Sequence, residues 1–210
     1  MKLYLIGGLG ADERVFEFLK LDVETTVIKW IEPKPMEELK SYALRLIEQI
    51  NQKDEFGILG VSFGGIVATE ISKLINPSKL ILISSVETDK ELPRKYISIG
   101  KLKILNMIPN KFIKPPKSLL GFLFGAEKKQ LLKQIIEDTE PEFIRWALNS
   151  IIKWSNESKS NNTIRIHGSN DKLIPLKGKA IEVKGGGHFM IVDKADEISK
   201  LVNEKLKYAG

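Results

Sequence analysis

Six short apolar runs rich in β-branched residues punctuate the chain: KLYLI (2–6), TTVIKWI (25–31), FGILGVS (56–62), KLILISS (79–85), NTIRIHG (162–168) and AIEV (180–183). Each reads as a strand, and between several of them the apolar positions recur with a helical period instead. After Pro35, the residues Met36, Leu39, Tyr42, Ala43, Leu46, Ile47 and Ile50 fall on one helical face. Glu37 and Glu38 stand in the first turn, where carboxylates suit the positive end of the helix dipole. Near the end of the chain Ile198, Leu201, Val202 and Leu206 repeat the spacing. Strands that are continuous Val, Ile and Leu runs, alternating with helices, predict a sheet buried on both faces. The expected fold is α/β: a three-layer sandwich, with a mainly parallel sheet and helices on both faces.

The alternation stops between residues 87 and 160, where helical patterns such as KQLLKQIIED and PEFIRWALNSIIKW replace strand-like runs. This stretch reads as a helical cap inserted into a core formed by residues 1–86 and 161–210. It holds Phe112, Phe122, Phe124, Phe143, Trp146 and Trp154, so it is expected to pack onto the sheet rather than hang free. The polar run SNESKSNN (155–162) is the return linker.

Composition narrows the chemistry. The chain has 210 residues, enough for one sizeable core. No window reaches the roughly 18 apolar residues of a membrane span, and KLYLI is too short for a signal-peptide core, so the expectation is a cytoplasmic protein without stable membrane insertion. There is no cysteine, which removes thiolate nucleophiles and thiolate metal sites, and there are two histidines. No metal or organic cofactor is expected. The net charge of +6 comes from 33 basic residues interspersed among 27 acidic ones, a distribution that does not suggest nucleic acid. Residues 92–126 depart from it, with Arg94, Lys95, Lys101, Lys103, Lys111, Lys114 and Lys117 and no acid. That stretch reads either as a solvated lysine face or as a surface that attracts an anionic substrate or a lipid surface.

One serine stands between glycines where the third run ends: Gly60-Val61-Ser62-Phe63-Gly64-Gly65, followed by the helical pattern IVATEISKLI. A G-x-S-x-G between strand and helix suits a sharp turn that exposes a nucleophile. Small residues on either side let strand and helix approach while the serine backbone takes a positive φ. A serine hydroxyl needs a base, and the base needs an orienting acid. His188, in KGGGHFMIVD just past the last run, is the candidate base; His167, inside TIRIHG, reads as an end-of-strand residue using its ring for local hydrogen bonds. Asp171, in GSNDKLIP after the fifth run, is the candidate acid, with Asp89 as runner-up. Ser62, Asp171 and His188 all follow the carboxyl ends of predicted parallel strands, where such sheets place their sites.

Those residues carry a resemblance to the α/β-hydrolase family over nearly the whole chain: the order Ser62, Asp171, His188, the G-V-S-F-G elbow, and the close GGGHFMIVDKADEIS. The chain departs from the family in two places. It opens directly on the strand leading to the oxyanion loop, which implies a trimmed sheet of about six strands, and Gly7 replaces the histidine usual in that loop. The resemblance implies that the backbone N–H groups of Leu9 and Phe63 form the oxyanion hole, and that the chain hydrolyses a small-molecule acyl substrate, an ester or thioester, through an acyl-enzyme. A carbon–carbon hydrolase or lyase could use the same three residues, and a non-catalytic binding protein could keep the fold.

GGLGAD after the first run also invites comparison with a dinucleotide-binding G-x-G-x-x-G, with Glu32 standing where a ribose-binding acid would. Counting from Gly8 and Gly10, Glu13 occupies the third glycine position and would crowd the helix–strand contact. An NAD-type oxidoreductase is therefore the weaker alternative. In the cap, SLLGFLFG with Trp146 nearby reads either as core packing or as the lining of an apolar acyl pocket.

Overall fold

The computed structural model describes residues 1–94, 105 and 107–207. Among them six strands form one sheet: β1 (Lys2–Ile6), β2 (Thr25–Val27), β3 (Phe56–Val61), β4 (Lys79–Ile83), β5 (Thr163–Gly168) and β6 (Ile181–Val183). Their order is β2-β1-β3-β4-β5-β6, and every neighbouring pair is parallel. Successive side chains on a strand point to opposite faces, and the two faces own separate cores. Tyr4, Ile6, Ile58, Leu80 and Leu82 join one apolar cluster; Leu3, Leu5, Leu59, Ile81 and Ile83 join the other.

Helices α1 (Leu39–Leu46) and α2 (Phe63–Ile75) cover the first face, and α6 (Met190–Asp193) and α7 (Ala195–Lys207) the second. In α7, Ile198, Val202 and Leu206 are buried, and Leu201 packs against the same cluster, as the spacing predicts.

Two boundaries differ from the sequence pattern. The second run yields a strand only at Thr25–Val27, because the chain turns away to send Trp30 inward, where its indole N–H donates to the Ala11 carbonyl at 3.0 Å. The helix after Pro35 begins at Leu39, not Met36. Met36 is 98% exposed with φ 57°, because residues 34–37 form a turn closed by Glu37 N–H on the Lys34 carbonyl. Glu37 is therefore not in the first helical turn. Its carboxylate instead accepts from the Arg45 guanidinium at 2.7 and 2.8 Å.

Between β4 and β5 lie α3 (Lys117–Phe124), α4 (Lys129–Asp138) and α5 (Pro141–Lys153), with no strand among the described residues. Phe143 and Trp154 are buried in the core of the first face. The Trp146 ring centre lies 4.2 Å from that of Tyr42 and meets the Phe63 ring edge-on at 5.8 Å, and its indole donates to the Glu37 carbonyl, so it is part of the packing. Trp154 donates from its indole to Glu70 Oε1 at 2.8 Å, joining the end of α5 to α2. Phe112 and Phe122 do not pack as expected and are exposed; Phe112 ends a short turn before α3, and within α3 it is Leu120 and Phe124 that turn towards the second core. In the basic stretch, Lys95, Lys101 and Lys103 lie outside the described residues. Among the described residues no helix is long and apolar enough to cross a membrane.

Candidate active site

The site forms where β3, β5 and β6 end at one edge of the sheet. β3 runs fully buried to Val61 and passes into α2 through Ser62, whose backbone sits at φ 53° and ψ −120°. Such a conformation costs about 1–3 kcal/mol in a non-glycine residue and holds only because its surroundings fix it. The flanking glycines make the turn possible. A Cβ at Gly60 would lie 2.5 Å from the Gly64 carbonyl oxygen, and one at Gly64 would lie 2.0 Å from that of Gly7.

Asp171 stands three residues beyond the end of β5, and His188 follows β6 through Gly185, Gly186 and Gly187. The three side chains form one hydrogen-bonded line. His188 Nε2 is 2.8 Å from Ser62 Oγ, and His188 Nδ1 is 2.8 Å from Asp171 Oδ2. An ionised carboxylate can only accept, so Nδ1 carries the imidazole proton and Nε2 presents its lone pair to the Ser62 hydroxyl. Asp171 and His188 are each 5% exposed, while Ser62 is partly open to solvent.

Asp171 is held on all sides. Its Oδ1 accepts from the backbone N–H groups of Leu173 at 3.0 Å and Ile174 at 2.9 Å. Burial pushes its carboxyl group up, but hydrogen bonds from His167 and His188 and from the Ile174 backbone outweigh burial and keep it well below the usual carboxylate range. The runner-up acid, Asp89, lies elsewhere and accepts from the Ser155 hydroxyl at 3.1 Å.

The glycine-rich first loop lies directly over the serine. A Cβ on Gly8 would come within 3.5 Å of Ser62 Cβ. Phe63 opens α2, so its N–H belongs to the set that an α-helix leaves without an internal partner. The far end of the loop is held by the helical segment: Gly10 adopts φ 69°, and its carbonyl accepts from the hydroxyl of buried Thr139 at 3.3 Å. On the other side, the Phe124 ring meets the His188 ring edge-on at 5.5 Å, and Phe189 N–H donates to the Phe124 carbonyl. The end of α3 thus packs directly against the imidazole.

A cleft of about 830 Å³ opens beyond the loop, lined by Gly10, Trp30, Glu32, Glu140 and Phe143 among others, and none of Ser62, Asp171 or His188 lines it. The residues SLLGFLFG do not line it either.

The chain overlays on solved structures along almost its entire length. An esterase from Thermogutta terrifontis matches with a TM-score of 0.72 at 15% identity, over 99% of this chain and 89% of its own. An esterase from a Rhodococcus species matches at 0.71 and 14% identity, over 100% and 91%. The chain has the α/β-hydrolase fold. A meta-cleavage product hydrolase from Pseudomonas fluorescens shares it at 0.69 and 17% identity, over 100% and 92%. No protein-family model matches the sequence, and no curated protein matches it. The six parallel strands agree with the expected sheet of about six.

The residue that the sequence pattern undervalued is His167. Its Nε2 donates to the Ile174 carbonyl at 2.7 Å, a local bond of the expected kind. The same atom also lies 3.4 Å from Asp171 Oδ2. The spacing of four residues between His167 and Asp171 was the available signal, but a strand followed by a turn leaves that separation uninterpretable without the loop's path.

Proposed function

We propose that the protein is a serine hydrolase acting on carboxylic esters or thioesters, with Ser62 as nucleophile, His188 as base and Asp171 as the orienting acid. The observation that carries this reading is the line of two 2.8 Å hydrogen bonds from Ser62 Oγ through the imidazole to a buried carboxylate. Ser62 Oγ attacks the substrate carbonyl as its proton passes to His188 Nε2, and Asp171 stabilises the imidazolium that results. The tetrahedral oxyanion is received by the N–H groups of Leu9 and Phe63. Support for the hole comes from the close seat of Gly8 over Ser62 and from the position of Phe63 at the start of α2. One such donor is typically worth about 3 kcal/mol in the transition state. Collapse of the intermediate returns the proton to the leaving alcohol or thiol. Water, activated by the same histidine, then releases the acid and restores Ser62.

A fluorophosphonate probe tests the assignment without knowledge of the substrate. It should label Ser62 in the intact protein and leave Ser62→Ala and His188→Ala unmodified. Labelling of another residue, or equal labelling of the His188→Ala protein, would reject the reading. Hydrolysis of p-nitrophenyl esters by the probe-reactive protein then separates an acyl hydrolase from a carbon–carbon hydrolase built on the same residues.

A further inference from the structure

His167 is the chain's other histidine, and the mechanism above leaves it idle. It lies in β5, is 1% exposed, and stands one position before the loop that carries Asp171. Its Nε2 must be the protonated nitrogen, because a carbonyl oxygen such as that of Ile174 can only accept. Among the described residues, Nδ1 is then a buried lone pair with no hydrogen-bond partner in the protein. An unpaired buried nitrogen is a cost that a purely structural position could shed, since a glutamine amide reaches the same carbonyl.

Nε2–H is bonded to the Ile174 carbonyl at 2.7 Å, and Asp171 Oδ2 lies beside the same nitrogen at 3.4 Å. Ile174 in turn gives its own N–H to Asp171 Oδ1. The loop from residue 168 to residue 174 is thereby closed into a ring of contacts, from His167 to Ile174, from Ile174 to Asp171, and from Asp171 back towards His167. Only one of the Asp171 oxygens faces His188, and it is the one His167 approaches.

We propose that His167 is a positioning residue: its Nε2–H closes the Asp171 loop and holds Oδ2 in line with His188 Nδ1, so that the imidazole facing Ser62 has one fixed acceptor. The kinetic part of this inference rests on the hydrolase reading. The structural part does not, because the His188–Asp171 bond exists whatever the substrate.

Three variants separate the possibilities. The amide nitrogen of His167→Gln reaches the position of Nε2, that of His167→Asn reaches the position of Nδ1, and His167→Leu offers no donor. The downfield proton resonance of His188 Nδ1–H, followed well below the melting temperature, reports the bond to Asp171 directly. The clamp predicts that the resonance is sharp in the parent protein and in His167→Gln and lost to exchange in His167→Asn and His167→Leu. With a p-nitrophenyl ester, kcat in the latter two should fall about ten- to a hundredfold at unchanged KM, as expected when a reacting group is held less precisely, and recover in the glutamine variant. Should the leucine variant fail to fold, the asparagine and glutamine pair carries the comparison. An unchanged resonance in His167→Asn, or a glutamine variant as impaired as the asparagine one, overturns the clamp. If the parent protein cleaves no ester, the hydrolase reading fails while the resonance still judges the clamp.

Discussion

The hydroxyl of Ser85 donates to the carbonyl oxygen of Ser62 across 2.7 Å, tying the segment after β4 to the turn between β3 and α2. The same oxygen accepts the Gly65 N–H at 3.0 Å, so two donors brace a residue whose own backbone is strained. Ser85→Ala removes one brace without leaving the carbonyl unpaired. It should lower stability by about 1 kcal/mol in urea unfolding, and it should slow turnover more than it weakens substrate binding.

The strain at Ser62 gives a second prediction. Ser62→Ala keeps the unfavourable φ, whereas Ser62→Gly relieves it. Both proteins should be inert to the fluorophosphonate probe, yet the glycine variant should melt at the higher temperature. Equal melting temperatures would show that the turn stores no strain.

Asp171 predicts a pH dependence of stability. Its carboxyl group lies below the usual range in the folded protein, so its charge stabilises the fold fully above the ordinary aspartate pKa of about 4. That contribution is lost as pH falls below about 4 and through the still lower folded value. Asp171→Asn should therefore be less stable than the parent at pH 7, and the gap between them should narrow at pH 3, as read by urea unfolding at both. Its turnover should drop by about four orders of magnitude, because the neutral amide no longer selects the imidazole tautomer.

Two glycines should respond in opposite ways to a methyl group. At Gly64 the new Cβ meets backbone oxygens of Gly7 and Ile6 at 2.0 and 2.4 Å, which cannot yield, so Gly64→Ala should cost about 3 kcal/mol or more. At Gly121, inside α3, its three nearest neighbours are carbons of the flexible Lys129 side chain, from 2.9 Å, which can swing aside, and Gly121→Ala should gain up to about 1 kcal/mol from helix propensity. Thermal unfolding of the two variants checks both signs.

Much of this architecture is written in local pattern. β1, β3, β4 and β5 stand where the apolar runs place them, because a strand buried on both faces admits little but Val, Ile and Leu. The chain around Ser62 is legible in part for a similar reason, since Gly60 answers contacts with Gly64 and Gly65 a few residues on, whereas Gly64 answers the distant first loop. What the pattern could not give are partners set by the path of the chain. Met36 fits the helical spacing but is turned outward by the Lys34–Glu37 turn. Trp146 meets Tyr42 across more than a hundred residues. His167 reaches the carboxylate of Asp171 only because the loop after β5 folds back on itself. Such contacts depend on shape, and shape leaves no period in the sequence.

Thr139 closes α4 with its hydroxyl shared between the Ile135 carbonyl of its own helix and the Gly10 carbonyl of the first loop. That latch joins two parts of the protein nearly 130 positions apart. Moving α4 away from the sheet would therefore part Thr139 from Gly10 and remove one of the bonds that hold the strip of backbone over Ser62, so the helical segment and that strip share a tether.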